Sequence, residues 1–251
     1  MLMAGDIGLA LDPSLIGERV GLTLDDWQAQ LLTERPKRSL LLCSRQAGKS
    51  TVTALCALHT SIYEPGSLIL LLSPSQRQSA ELFRTLMLFH AKLKGAPELT
   101  AESLLRAELA NGSRIIALPG GSEGRTVRGY AGVKLAIIDE AARCDDALFA
   151  AVRPMLGVAD GTLMMLSTPA GRRGEFYRAW TEGGEHWHRT RVTAEQCPRL
   201  SREFLAEEQR ELGPALFAQE YELSFVDDAE MVFATSLIDG AFSEEVRPLW
   251  Q

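Results

Sequence analysis

The sequence predicts an α/β fold with a mainly parallel central sheet flanked by helices, and three observations predict it. Apolar runs of strand length (residues 39–43, 67–72, 134–138 and 162–167) alternate with segments of helical apolar spacing. Uninterrupted apolar runs suit parallel strands buried on both faces. The polar stretches that can carry chemistry, residues 44–50, 139–140 and 167–168, each follow such a run directly. Ligands of open α/β sheets bind at those carboxyl ends. An Asn111-Gly112 turn between residues 105–109 and 114–118 adds a hairpin and makes the sheet mixed.

Taken in order, residues 1–22 read as a loosely packed, Gly-containing arm. A helix is expected over Leu24 to Leu32, with Thr23 as N-cap and Asp25 and Asp26 in the dipole-compatible first turn. Arg35-Pro36-Lys37 ends it, and the strand 39–43 follows. Val52, Leu55, Leu58 and Ile62 set a helix from Thr51 to Tyr63, which stops at Glu64-Pro65-Gly66. The run from Ser67 is strand, Pro74 closes it, and Ser75 caps a long amphipathic helix reaching Leu93. After the hairpin come a Gly-rich loop (119–124), the strand 134–138, a helix over 146–156, the strand 162–167 and a short helix over 174–181. A strand over 187–192 and two helices, 201–212 and 214–221, complete the pattern. His186 and His188 flank Trp187 without a third ligand nearby, so they read as part of that strand and not as a metal pair.

Composition narrows the function classes. A chain of 251 residues with 46% apolar and 24% charged residues is one large domain with small additions. No apolar run approaches the ~20 residues that span a bilayer, and Asp6 and Asp12 interrupt any leader-like pattern. The four cysteines are scattered and give neither a zinc pattern nor a disulfide framework. A formal charge of -7 argues against a general basic coat for nucleic acid, while leaving room for a local basic edge or for a ring of subunits that each make a few contacts.

The stretch from Ser39 to Ser50 reads strand, tight loop, helix start. Helix-start N–H groups lack intrahelical acceptors and carry the positive end of the dipole, so such a loop binds phosphate. Gly48 admits close backbone approach, Lys49 reaches the β- and γ-phosphates of ATP, and the Ser50 hydroxyl is a Mg²⁺ ligand. Cys43 stands where the usual phosphate-loop pattern has glycine. Asp139 and Glu140 end a buried strand, which suits an acid that holds Mg²⁺ followed by a general base for the attacking water. Gln28 can pair with both edges of adenine, and Arg45 can add a fixed guanidinium to the phosphates. Arg125 and Arg128 flank a Gly-rich turn; Arg128 is either an arginine finger on the γ-phosphate, in cis or from a neighbouring subunit, or a surface or DNA-phosphate contact. Ser167-Thr168-Pro169 can contact the γ-phosphate and relay its loss, and Arg172-Arg173 suits a DNA phosphate or a neighbouring subunit.

These residues resemble a known family. Asp26-Trp27-Gln28, the loop 44–50, Arg125 to Tyr130, Ile137-Ile138-Asp139-Glu140-Ala141-Ala142, Leu166 to Pro169 and the late segment 219–228 look like the ATPase domain of the large terminase subunit of tailed bacteriophages and prophages. The resemblance spans roughly Leu24 to Phe233. It implies a P-loop NTPase of the additional-strand, catalytic-glutamate class, occupying residues 23–233, with 234–251 a tail or the start of a linker to a nuclease domain that is expected to be absent, whether excised or naturally missing. It implies ATP hydrolysis that drives double-stranded DNA into a procapsid. Within it Cys43 and Arg45 fit a variant phosphate loop, and Ser44, Arg45, Gln46, Ala47, Gly48, Lys49, Ser50 and Thr51 are nucleotide-binding, with Gln28 at adenine. Ser50 and Asp139 hold Mg²⁺, Glu140 is catalytic, Thr168 couples hydrolysis to movement, and Arg128 lies in the loop of a trans-acting arginine. The implied partners are DNA, a portal protein, a small terminase subunit and further copies in a ring, in the cytoplasm of a bacterial host. Two alternatives stand beside it: a helicase-like or remodelling ATPase on nucleic acid, and a non-enzymatic nucleotide-gated interaction module.

Overall fold

The computed structural model describes residues 4–120, 127 and 129–226. Arg125, Arg128 and the tail 234–251 lie outside the described residues.

The chain opens with helices α1 (Ala4–Leu11) and α2 (Leu15–Arg19), then α3 (Asp26–Glu34), strand β1 (Arg38–Cys43), α4 (Lys49–Tyr63), β2 (Leu68–Ser73) and α5 (Gln76–Lys92). The strands β3 (Leu99–Glu102), β4 (Arg106–Leu109) and β5 (Arg114–Pro119) follow, then β6 (Val133–Asp139), α6 (Asp146–Gly157), β7 (Thr162–Ser167), α7 (Gly174–Glu182), β8 (His188–Val192) and α8 (Arg202–Glu220). They form one eight-stranded sheet in the order β3-β4-β5-β2-β6-β7-β1-β8. From β5 to β8 every pairing is parallel. Only the β3-β4-β5 edge is antiparallel. The additional strand is β7: it lies between the phosphate-loop strand β1 and the acidic strand β6.

Side-chain alternation explains why the strands read as unbroken apolar runs. Leu41, Cys43, Ile69, Leu71, Ile137 and Leu166 enter one core, with α3, α4 and α5 packed against it. Leu40, Leu42, Leu70, Leu72, Ile138 and Met165 enter the other, under α6 and α7. Both sheet faces are therefore covered, as parallel sheets require. Cys43, the last residue of β1, packs into the first core with no exposed surface. Its burial pushes the thiol up to about 12.

Three expectations are corrected. The first segment is not loose: Leu9, Ile16 and Val20 are buried in the first core, and the His59 ring bonds the Leu9 carbonyl at 3.0 Å. Its mixed composition hid two short helices, which send Leu9 and Ile16 inward while Ile7, Leu11 and Leu15 stay exposed. Helix α3 starts at Asp26, two residues later than expected, because Asp25 has extended backbone and its N–H donates to Gln28 Oε1 at 2.9 Å. Strand β3 was not expected, since beyond the half-buried Leu99 its residues are exposed and leave no apolar pattern. The two expected C-terminal helices are both present: α8 is two helical stretches separated by a break at Gly213, whose φ of 74° is left-handed.

Candidate nucleotide-binding and hydrolysis site

The loop between β1 and α4 is held from three sides. Ser44 N–H donates to the Val192 carbonyl of β8 at 2.9 Å. Gln28 Nε2 donates to the Gly48 carbonyl at 3.2 Å. Arg199 Nη2 donates to the Ala47 carbonyl at 3.1 Å while the same guanidinium grips Asp25 at 3.0 and 2.7 Å. In a trans peptide the N–H points opposite its C=O. Drawing the Ala47 and Gly48 carbonyls toward α3 and Arg199 thus turns the Gly48 and Lys49 N–H groups the other way. The first N–H groups of α4 have no intrahelical acceptor, so the loop and the helix start together offer a cluster of donors. Gln46 and Gly48 have φ of 57° and 88°, and these left-handed residues make the turn tight enough for that.

The acidic partners meet the loop. Asp139, at the end of β6, accepts from Ser50 Oγ at 3.3 Å and from the Glu140 N–H at 2.9 Å. Burial, then the Glu140 charge, push Asp139 up to about 6, against the opposing pull of Lys49 and the two hydrogen bonds. Lys49 Nζ stands 3.7 Å from Glu140 Oε1. Ser167 Oγ, at the end of β7, donates to Glu140 Oε2 at 3.5 Å. A cleft of about 250 Å³ exposes Ser50, Asp139 and Glu140 beside Arg77, Gln78 and Glu81 of α5. A larger cavity of about 940 Å³ under α8 touches none of these acids, so convergence of charge marks the site and size does not.

Of the residues expected from sequence, Lys49, Ser50, Asp139, Glu140 and Ser167 converge as described. Gln28 sits beneath the loop, 3% exposed, with one amide N–H on Gly48 and its carbonyl on Asp25. Arg45 turns to Glu220, with Nε 2.9 Å from Oε2 and its own N–H 3.3 Å from the Glu220 carbonyl. Thr168 is buried and accepts from Arg143 at 3.0 Å. Arg172 donates to the Phe225 carbonyl at 3.1 Å. Arg128 falls outside the described residues.

Three residues escaped the sequence reading. Arg143 lies three positions after Glu140, a spacing that brings both to one side of the short 3-10 turn Ala141–Arg143; Nη1 is 2.8 Å from Glu140 Oε2. Glu220 is in the late segment that resembled the family, without a role. It accepts from Arg45 and, at 3.2 Å, from Arg143. Burial raises its pKa, but the Arg45 hydrogen bond and the charges of Arg45 and Arg143 outweigh this and leave it below the usual value. Arg199 is far from the loop in sequence, and no local signal marks it.

The family described as terminase large subunit, T4likevirus-type, N-terminal, matches residues 40–239. The chain belongs to this terminase family. The match covers the N-terminal part of the large terminase subunit. Similar solved structures share the fold. The Thermus phage P74-26 large terminase ATPase domain is 23% identical, with 83% of this chain and 96% of that one aligned at a TM-score of 0.73. The large terminase of the thermophilic bacteriophage D6E is 13% identical, covering 81% of this chain and 54% of that one, TM-score 0.70. The HK97 bacteriophage large terminase is 18% identical, covering 85% and 54%, TM-score 0.67. This terminase chain thus spans nearly all of the first but about half the length of the other two. No curated protein sequence matches it. Neither the helicase-like nor the non-enzymatic alternative is favoured by these likenesses. Among the described residues no helix is long and apolar enough to cross a membrane.

Proposed function

We propose that this domain binds ATP at residues 44–51 and hydrolyses it with Glu140 as general base, driving double-stranded DNA into a procapsid. The observation that carries the reading is the convergence of Lys49 and Ser50 from the start of α4 with Asp139 and Glu140 from the end of β6 at one end of the sheet. Donors of the loop and of the α4 start cradle the phosphates. Lys49 neutralises charge that develops on them in the loose phosphoryl transition state. Its distance from Glu140 lets the lysine leave that carboxylate for phosphate oxygens, which frees the base for water.

Mg²⁺ fits the donors present. Ser50 and Asp139 offer hard oxygens already in contact, and the cost of keeping Asp139 ionised when buried is what a cation beside it offsets. When bound, the ion supplies charge neutralisation between the phosphates. Among the described residues no group of three or more His, Cys, Asp or Glu side chains could hold a metal by itself, which suits an ion that takes its remaining ligands from phosphate and water. Gln28 keeps a second amide N–H beyond its bonds to the loop and α3, suited to an adenine edge. Thr168 and Arg45 respond to the phosphates, and Arg128 serves as finger. The large terminase of bacteriophage D6E has been solved in complex with ADP and with ATP-γ-S, which supports a nucleotide at this loop. Portal and small-subunit contacts, ring assembly and a place in the host cytoplasm complete the proposal.

The test is steady-state ATP hydrolysis with Mg²⁺ over a protein concentration series, with and without double-stranded DNA. Turnover that rises with concentration or DNA supports the motor. Tight ATP binding with no turnover under any of these conditions overturns it.

A further inference from the structure

The strongest unassigned feature is a four-residue ionic chain that starts in the phosphate loop and ends on the general base. Arg45 Nε contacts Glu220 Oε2 at 2.9 Å, Glu220 Oε1 contacts Arg143 Nη2 at 3.2 Å, and Arg143 Nη1 contacts Glu140 Oε2 at 2.8 Å. We infer that Arg143 is a positioning residue for Glu140, and that Glu220, the last residue of α8, sets where Arg143 stands. The inference rests on the ATPase reading above and assigns regulation of that same site to the seating of α8.

Glu140 needs such a partner. Its backbone is left-handed, with φ 50° and ψ 42°, which costs energy in a residue with a side chain and leaves the carboxylate direction to its contacts. Of those contacts, Lys49 at 3.7 Å is claimed by phosphates when ATP binds, and Ser167 at 3.5 Å is long. Arg143 makes the short one. The same guanidinium nitrogen also holds Thr168 Oγ1 at 3.0 Å, so base and coupling residue are oriented by one rigid plane. A guanidinium presents its donors in a fixed fork, so it cannot shift at Glu220 without turning at Glu140 and Thr168.

Glu220 is built to anchor that plane. Its side chain is 8% exposed, whereas those of Arg143 and Arg45 are 36% and 62% exposed, so the carboxylate is the fixed member and the guanidiniums come to it. It belongs to a helix outside the parallel sheet, seated by the small cluster of Phe217 and Tyr221 on Ala194. Displacement of α8 moves Glu220, releases Arg143 and with it the direction of Glu140. Hydrolysis is thereby conditional on where α8 sits.

The experiment compares wild type, Glu140→Gln, Arg143→Ala, Arg143→Lys, Glu220→Gln and the double variant Arg143→Ala/Glu220→Gln in steady-state hydrolysis, with binding of a fluorescent ATP analogue and a thermal melt for each. Misdirecting a base by about 1 Å costs about 10²-fold. Arg143→Ala is expected to lose kcat on that order while analogue affinity stays within about threefold. Arg143→Lys regains only part, since an ammonium lacks the fork. Glu220→Gln falls between, and the double variant is no worse than Arg143→Ala, because the two residues act in series. Methylguanidinium added to Arg143→Ala restores turnover, which a role in stability alone would not produce. An Arg143→Ala chain with wild-type kcat, losses that multiply in the double variant, or losses that follow the melting temperature overturn the inference while leaving the ATPase reading intact. Absence of turnover in the wild type overturns both.

Discussion

Gln28 and Gly48 are locked together: the glutamine amide donates to the glycine carbonyl at 3.2 Å, and a Cβ built on Gly48 would lie 2.5 Å from that same nitrogen. The contact fixes the phosphate loop to α3, so the loop's donor geometry depends on a helix that precedes it in the chain. The glycine thus meets two requirements at once, a left-handed φ of 88° and room for an amide.

Gly48→Ala should therefore lower stability by about 1–3 kcal/mol and weaken ATP binding at least tenfold. Adding Gln28→Ala removes the clash but not the backbone strain, so it should restore only part of the loss. Melting curves and analogue binding on the two variants check this; full restoration would show that crowding alone was at issue.

Glu140→Gln should reduce turnover by about 10²–10⁴-fold, the usual contribution of a general base, while ATP still binds. Lys49→Ala should lose binding and turnover together, because its charge acts on the phosphates before and during the reaction. Hydrolysis and binding measured side by side separate the two. Equal turnover in Glu140→Gln and wild type would remove Glu140 from the chemistry.

The parallel core and one half of this site were legible in the sequence for a common physical reason. A strand buried on both faces must be apolar throughout, so it shows as a run, and the polar residue that ends the run lies at the functional edge. Asp139, Glu140 and Ser167 were expected that way, and Ser50 from the Gly-Lys-Ser loop that opens α4. Arg199 and Glu220 were not, because they act through partners distant in sequence: Arg199 reaches Asp25 and Ala47, and Glu220 reaches Arg45; Arg143 was passed over although its partner Glu140 is only three positions away. No period or spacing encodes the distant pairs. The same limit hid α1 and α2, where Ile16 reaches the core from a stretch too short to show a helical repeat.

That packing gives a stability prediction. Ile16 has no exposed surface, so Ile16→Ala removes buried methylene and methyl groups and leaves a cavity. The expected cost is about 2–5 kcal/mol, read as a lower urea midpoint at unchanged slope. A loss below about 0.5 kcal/mol, typical of surface changes, would return the segment to the loose arm that its composition suggested.

The ion pairs at Glu220 give the chain a pH signature. The folded-state pKa of Glu220 lies below its ordinary value of 4.5, because the Arg45 hydrogen bond and the Arg45 and Arg143 charges outweigh the effect of burial. For a carboxylate depressed on folding, the stabilisation is complete above 4.5 and disappears as pH falls through the folded-state value. The groups facing it are Arg45, Arg143, the Thr168 hydroxyl and the Gln219 amide, which donates at 3.4 Å. Wild type should thus exceed Glu220→Gln by about 2 kcal/mol at pH 7, the scale of hydrogen bonds to charged groups, and the gap should narrow progressively as pH falls below 4.5. Urea unfolding of both chains across that range is the measurement. A gap that stays constant in pH would assign the effect to the shape of the side chain and not to its charge.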